Sequence, residues 1–151
     1  METLIREDDL DKILFTDVVT DNNKKGVNWI ITLYDDNLNY ESIKNNLETF
    51  PNMKSFIFQI EIGEITKKKH FHACITLNIS TFKPLSQFKK RFQNVHIQSA
   101  KNVEYWQSYC CKNQSADPNY EPFYYNIVSS SVKLWKENEN KKDDLLQNCN
   151  Y

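Results

Sequence analysis

Two histidines, His70 and His72, lie two residues apart in a stretch with the alternation of a strand. Phe71, Ala73, Ile75 and Leu77 point one way, while His70, His72, Cys74 and Thr76 point the other. Both imidazoles therefore share one face. Ser55 to Ile62 alternates as well, with Phe56, Phe58, Ile60 and Ile62 on one side and Ser55, Ile57, Gln59 and Glu61 on the other. Joined by a turn carrying Gly63 and Lys67, Lys68 and Lys69, the two strands make a hairpin that puts Glu61 on the histidine face. Two imidazoles and a carboxylate form a three-ligand site for a divalent ion, with positions left open for substrate. Glu64 competes as the carboxylate, but continued alternation assigns it to the apolar side. The competing reading of the histidine pair is two solvated surface side chains.

Tyr109 and Lys112 are the second element. From Lys101 to Lys112 the spacing predicts a helix with Val103, Trp106 and Cys110 on one side and Tyr105, Tyr109 and Lys112 on another. A phenol, with an ordinary pKa near 10, is a poor nucleophile at neutral pH unless a cation stabilises the developing charge. Lys112 is placed to do so. Packing is the competing role for Tyr109, and Tyr105 is open between a substrate contact, a second phenol and packing.

The composition limits what such a site can serve. The 151 residues are 40% hydrophobic and 13% aromatic, enough for one domain with one core. No apolar run approaches the ~20 residues of a membrane span, and the acidic amino terminus is unlike a secretory signal. A soluble, intracellular protein is expected. Two glycines, Gly26 and Gly63, allow neither a Walker loop nor a dinucleotide-binding turn, so no nucleotide cofactor is expected. Cysteines 74, 110, 111 and 149 lack paired zinc spacing and suit a reduced compartment.

The net charge of -1 conceals a partition. Residues 54–112 carry ten basic and three acidic side chains, a net +7; the rest carries nine basic and seventeen acidic, a net -8. A cationic centre suits a polyanion, and a solvated lysine-rich face is the alternative.

The positioning elements follow from periodicity. Asn28 to Tyr34 reads as a strand, and Ile43, Leu47 and Phe50 mark a helix over about 40–50 that stops at Pro51. The hairpin follows. Pro84 can open a helix whose Leu85, Phe88 and Phe92 face a core while Lys89, Lys90 and Arg91 face out, and Val95 to Ser99 reads as a fourth strand. After the tyrosine helix, Phe123 to Tyr125 reads as a short strand, and the polar tail over 129–151 as a helix. Residues 1–25 form an acidic arm with one apolar run, Ile13 to Val19, that could add a strand. The fold class expected is α+β: an antiparallel sheet with helices on its apolar face and its polar face open as the active site.

These residues carry a resemblance. Asn28 to Tyr34 resembles the first motif, His70-Phe71-His72 the metal-binding second motif, and Tyr109-Cys110-Cys111-Lys112 the YCxK third motif of one family. Gln59 to Lys69 is similar to its carboxylate strand and turn, and Val95 to Gln98 to the strand before its tyrosine helix. The chain resembles the HUH endonuclease domain of replication initiator (Rep) proteins of circular single-stranded DNA viruses, such as circoviruses, geminiviruses and nanoviruses. The likeness spans about 28–115 within a domain over 26–128.

The resemblance implies an RRM-like, ferredoxin-like sheet and a nuclease that starts rolling-circle replication by nicking single-stranded DNA, at an origin stem-loop. Tyr109 would attack the scissile phosphate and hold a 5′-phosphotyrosyl bond, and a later 3′-hydroxyl would reverse the step and join ends. Glu61, His70 and His72 would hold Mn2+ or Mg2+, and Lys112 would position or neutralise charge. Asn28, Thr32 and Tyr34 of the first motif, the turn lysines 67–69 and Tyr105 would contact DNA; His96 and Trp29 are open between further contacts and a structural role. The compartment implied is the host nucleus for a virus of a eukaryote and the cytoplasm otherwise. Without a phosphate loop, unwinding is not expected.

Two other classes fit part of the pattern. A non-catalytic RRM-like module would bind single strands through the sheet face without an ion. A non-heme iron oxygenase would use two histidines and a carboxylate, but in a barrel that this element order does not suggest.

Overall fold

A computed structural model describes residues 25–35, 37–63, 65–82 and 85–148. The apolar run from Ile13 to Val19, Glu64, Pro84 and Cys149 lie outside the described residues. In chain order the elements are β1 (Lys25–Tyr34), α1 (Tyr40–Glu48), β2 (Met53–Ile62), β3 (Lys69–Phe82), α2 (Leu85–Arg91), β4 (His96–Ser99), α3 (Val103–Tyr109), β5 (Phe123–Tyr125) and α4 (Ser129–Asn148). The strands form one antiparallel sheet in the order β4-β1-β3-β2-β5. The expected α+β class is the class observed. Among the described residues no helix is long and apolar enough to cross a membrane.

Alternation determines what each face buries. Trp29, Ile31 and Leu33 of β1, Phe56, Phe58 and Ile60 of β2 and Phe71, Ala73 and Ile75 of β3 all point into one core. Ile43 and Leu47 of α1 and Phe88 of α2 close it from outside. The rings of Phe50 and Phe88 stack there at 4.0 Å between centroids. Each such ring adds roughly 1.5–3 kcal/mol by leaving water. The helix α1 starts where Asn39 Oδ1 accepts the Ser42 N–H at 3.0 Å, satisfying a donor that the first turn leaves unpaired. It ends at Glu48, three residues before Pro51.

The opposite face is divided. Ile30, Cys74 and Ile57 are cross-strand neighbours on β1, β3 and β2, so one row of this otherwise polar face is apolar. Val132 and Trp135 of α4, with Cys110 and Cys111 at the end of α3, cover that row and form a second, smaller core. The open polar face expected from the sequence is thus partly roofed, because three apolar side chains at polar parity need a cover. Beyond this roof, the next two rows carry the polar groups.

Candidate functional site

Strand register sets the site out as two rows. In one, Thr32, His72 and Gln59 are neighbours across β1, β3 and β2; in the next, Tyr34, His70 and Glu61 are neighbours across the same strands. Directly opposed side chains in antiparallel strands lie about 5 Å apart at Cβ, so the pairing sets His70 opposite the carboxylate and leaves His72 as its diagonal neighbour on the same face. His72 Nε2 lies 3.6 Å from Glu61 Oε2, and His70 Nε2 lies 3.9 Å from Glu61 Oε1. One ligand atom from each of the three residues falls within 4.8 Å of the other two. This buried group could hold a metal ion, and its donor set of two imidazole nitrogens and a carboxylate fits a divalent cation.

Neighbouring side chains aim the ligands. Thr32 Oγ1 and His72 Nδ1 share a 3.0 Å hydrogen bond, which engages one ring nitrogen and leaves Nε2 toward Glu61. The Tyr34 ring lies against His70 with centroids 4.7 Å apart, and the two imidazoles meet edge to face at 4.7 Å. The chain after Lys112 then closes the edge of β2. Ala116 bridges to Glu61, Ile62 N–H donates to Ser115 O at 2.7 Å, and Asp117 N–H donates to Ile60 O at 2.9 Å. Glu61 and His70 are consequently 0% exposed and His72 1%.

Tyr109 and Lys112 reach the same place from α3. Asn102 Oδ1 accepts the Tyr105 N–H at 3.1 Å and starts the helix. The helix expected to run to Lys112 stops at Tyr109, and the chain turns. Lys112 N–H still bonds to Tyr109 O at 3.2 Å, while Gln59 Nε2 donates to Lys112 O at 2.7 Å and draws the turn under the sheet face. The Cys110 thiol donates to His72 O at 3.7 Å. Burial pushes that thiol well above its ordinary pKa, and burial likewise raises Cys74 and Cys111 to about 12. These cysteines stay protonated and act as packing.

The result is a continuous polar chain. Lys112 Nζ donates to Tyr109 Oη at 2.8 Å and lies 2.8 Å from Glu61 Oε1. The Tyr109 ring meets His72 edge to face at 5.4 Å, with Trp106 at 5.5 Å and Tyr105 at 6.4 Å. A phenol, an ammonium, a carboxylate and two imidazoles are therefore contiguous, joining groups from two strands and one helix end.

The residues expected to meet DNA fall into two sets. Lys67 and Lys68 are exposed on the β2–β3 turn, where Lys67 adopts a left-handed φ of 57° and Gly63 N–H bonds to Lys68 O at 3.0 Å. Tyr105 is 46% exposed beside Tyr109, and Tyr34 is half-buried against His70. The others are engaged within the protein. Asn28 Oδ1 accepts from the Thr76 hydroxyl at 2.7 Å, Thr32 is 3% exposed and faces His72, and Lys69 Nζ lies 3.6 Å from the buried Asp117 carboxylate. Trp29 is a core residue, and His96 is exposed on the edge strand.

The sequence assigns no site role to Gln59 or Asp117. Gln59 stood at site parity between Ile57 and Glu61, a signal available from alternation. Asp117 gave none, because its partner Lys69 is 48 residues away in the chain.

The fold and site define an α+β protein with a buried Glu-His-His group joined to a tyrosine-lysine pair. The chain matches no family model and no curated protein.

Proposed function

We propose that the protein is a metal-dependent endonuclease and strand-joining enzyme for single-stranded DNA, of the HUH replication-initiator kind, with Tyr109 as nucleophile. One observation carries the reading: the Tyr109 hydroxyl is tied through Lys112 to the carboxylate of the Glu-His-His group, with 2.8 Å at each link. An ammonium at the phenol oxygen is placed to stabilise negative charge developing there.

Glu61, His70 and His72 would hold Mn2+ or Mg2+, the two imidazoles favouring Mn2+, and the bound ion supplies a Lewis-acid charge for a phosphate oxygen. The protein's own groups do the rest. Tyr109 Oη attacks phosphorus as its proton passes to solvent, and the ammonium of Lys112 stabilises the developing phenolate. The phosphorus–3′-oxygen bond breaks, leaving a 3′-hydroxyl that takes a proton from water and a 5′-phosphate esterified to Tyr109. Attack on that ester by another 3′-hydroxyl restores the phenol and joins the ends. Lys67 and Lys68 bind backbone phosphates, and Tyr105 offers a stacking surface for a base beside the nucleophile. An origin stem-loop is the proposed substrate.

The burial that joins the groups also supports a second reading, a fixed polar core beneath a non-catalytic single-strand-binding face. Incubation of a labelled panel of hairpin-loop oligonucleotides with the protein and Mn2+ separates the two. The nuclease reading predicts cleavage that chelation stops; binding without cleavage, indifferent to chelation, supports the second reading.

A further inference from the structure

We propose that Lys112 and the divalent ion compete for Glu61, so that loading the site releases Lys112 from the carboxylate and leaves it on the Tyr109 hydroxyl alone. This rests on Glu61, His70 and His72 holding an ion.

Glu61 Oε1 has two claims on it. Lys112 Nζ lies 2.8 Å away, and His70 Nε2, the neighbouring ligand nitrogen, lies 3.9 Å away on the same oxygen. The Glu61 side chain is 0% exposed and that of Lys112 8%, so little water screens one cation from another there. A dication ligated by this carboxylate and an ammonium bonded to it repel each other, and neutralising Glu61 once leaves less charge for a second cation.

The ammonium has a second partner within reach. Tyr109 Oη is 2.8 Å from Lys112 Nζ, so giving up Glu61 leaves one strong hydrogen bond in place. The backbone of Lys112 is held by its N–H to Tyr109 O at 3.2 Å and by Gln59 Nε2 to its carbonyl at 2.7 Å. Only the side chain has to move.

Two consequences follow for how the site works. Ion affinity is set below what the three ligands alone would give, because part of their charge is already spent on Lys112. The nucleophile also receives its cation in full only after the ion is seated, which orders metal binding before phenolate formation. Lys112 is on this account a positioning residue for the ion as well as a partner of Tyr109.

Direct Mn2+ titration, read from the electron paramagnetic resonance signal of the free ion, tests this. Lys112→Met is expected to bind Mn2+ at least tenfold more tightly than the wild type, whereas loss of a merely structural lysine would weaken binding. Equal or weaker binding by a folded Lys112→Met protein overturns the competition and leaves the metal site standing. Absence of Mn2+ binding by both proteins overturns the competition and the metal reading together. The wild-type protein gives an independent measurement: saturating Mg2+, followed at the His72 ring resonances, should shift the Lys112 side-chain 13Cε signal. A Lys112 signal that stays fixed while His72 responds also overturns the proposal.

Discussion

Tyr109 and Lys112 are joined by a 2.8 Å hydrogen bond across the turn that ends α3, the ammonium donating to the phenol oxygen. Two residues separate them in sequence, and the turn that follows Tyr109 carries Lys112 back against its ring. Loss of this donor removes an ammonium from the oxygen where negative charge would develop. Lys112→Met is therefore expected to lower the single-turnover cleavage rate by about 10²–10³-fold, the scale seen when one preorganised stabilising group is removed. An unchanged rate in the variant would show that the phenol needs no such partner.

Thr32 is expected to act through His72 rather than on DNA. Its hydroxyl shares a 3.0 Å hydrogen bond with Nδ1, and it is 3% exposed. Replacement by valine keeps the shape and removes the bond, so ion affinity should fall about 10–100-fold. Stability should fall by only about 0.5–1.5 kcal/mol. Calorimetric titration with Mn2+ and a urea melt measure the two effects separately.

The turn lysines should divide into two kinds. Lys67 and Lys68 are exposed, so replacing both with alanine should weaken single-strand binding and flatten its salt dependence by about 1–2 in the logarithmic slope. Lys69 faces the buried Asp117 carboxylate at 3.6 Å. Lys69→Ala should instead lower stability, because a buried carboxylate loses its ion-pair partner and keeps only the hydrogen bonds from Asn119. Fluorescence anisotropy at several salt concentrations, with a thermal melt beside it, distinguishes a binding lysine from a structural one.

The buried cysteines give a pH dependence of known sign. Burial raises Cys74 and Cys111 from an ordinary 9.0 to about 12, and Cys110 also moves upward. The folded state then binds more protons than the unfolded chain between those values, so stability is full below pH 9 and falls as pH rises toward 12. In a Cys149→Ser background, a thiol reagent at pH 8 should label none of the three until denaturant is added. Rapid labelling of the folded protein would contradict their placement.

Much of this arrangement was legible in alternation alone. His70, His72 and Glu61 share a face because strands have a period of two, and the register observed pairs Glu61 with His70 directly. The roof over the other half of that face was less visible. Ile30, Ile57 and Cys74 occupy polar-face positions, and only their meeting in one row shows that a cover is required. The end of α3 was misplaced because side-chain spacing continues to Lys112, whereas Gln59 and the buried cysteines pull the chain into a turn at Cys110. Tertiary bonds outweighed helical periodicity there. The division among the lysines depended on Asp117, a contact between distant segments that no local pattern encodes.

As nucleophile, Tyr109 would form a covalent bond with DNA. Incubation with a cleavable single-stranded oligonucleotide and Mn2+, followed by denaturation, proteolysis and mass spectrometry, tests it most directly. The expected product is a peptide whose added mass is a 5′-phosphorylated DNA fragment localised to Tyr109, absent from Tyr109→Phe and from chelated samples. An adduct on another residue, or cleavage of the oligonucleotide that persists undiminished in Tyr109→Phe, would contradict it.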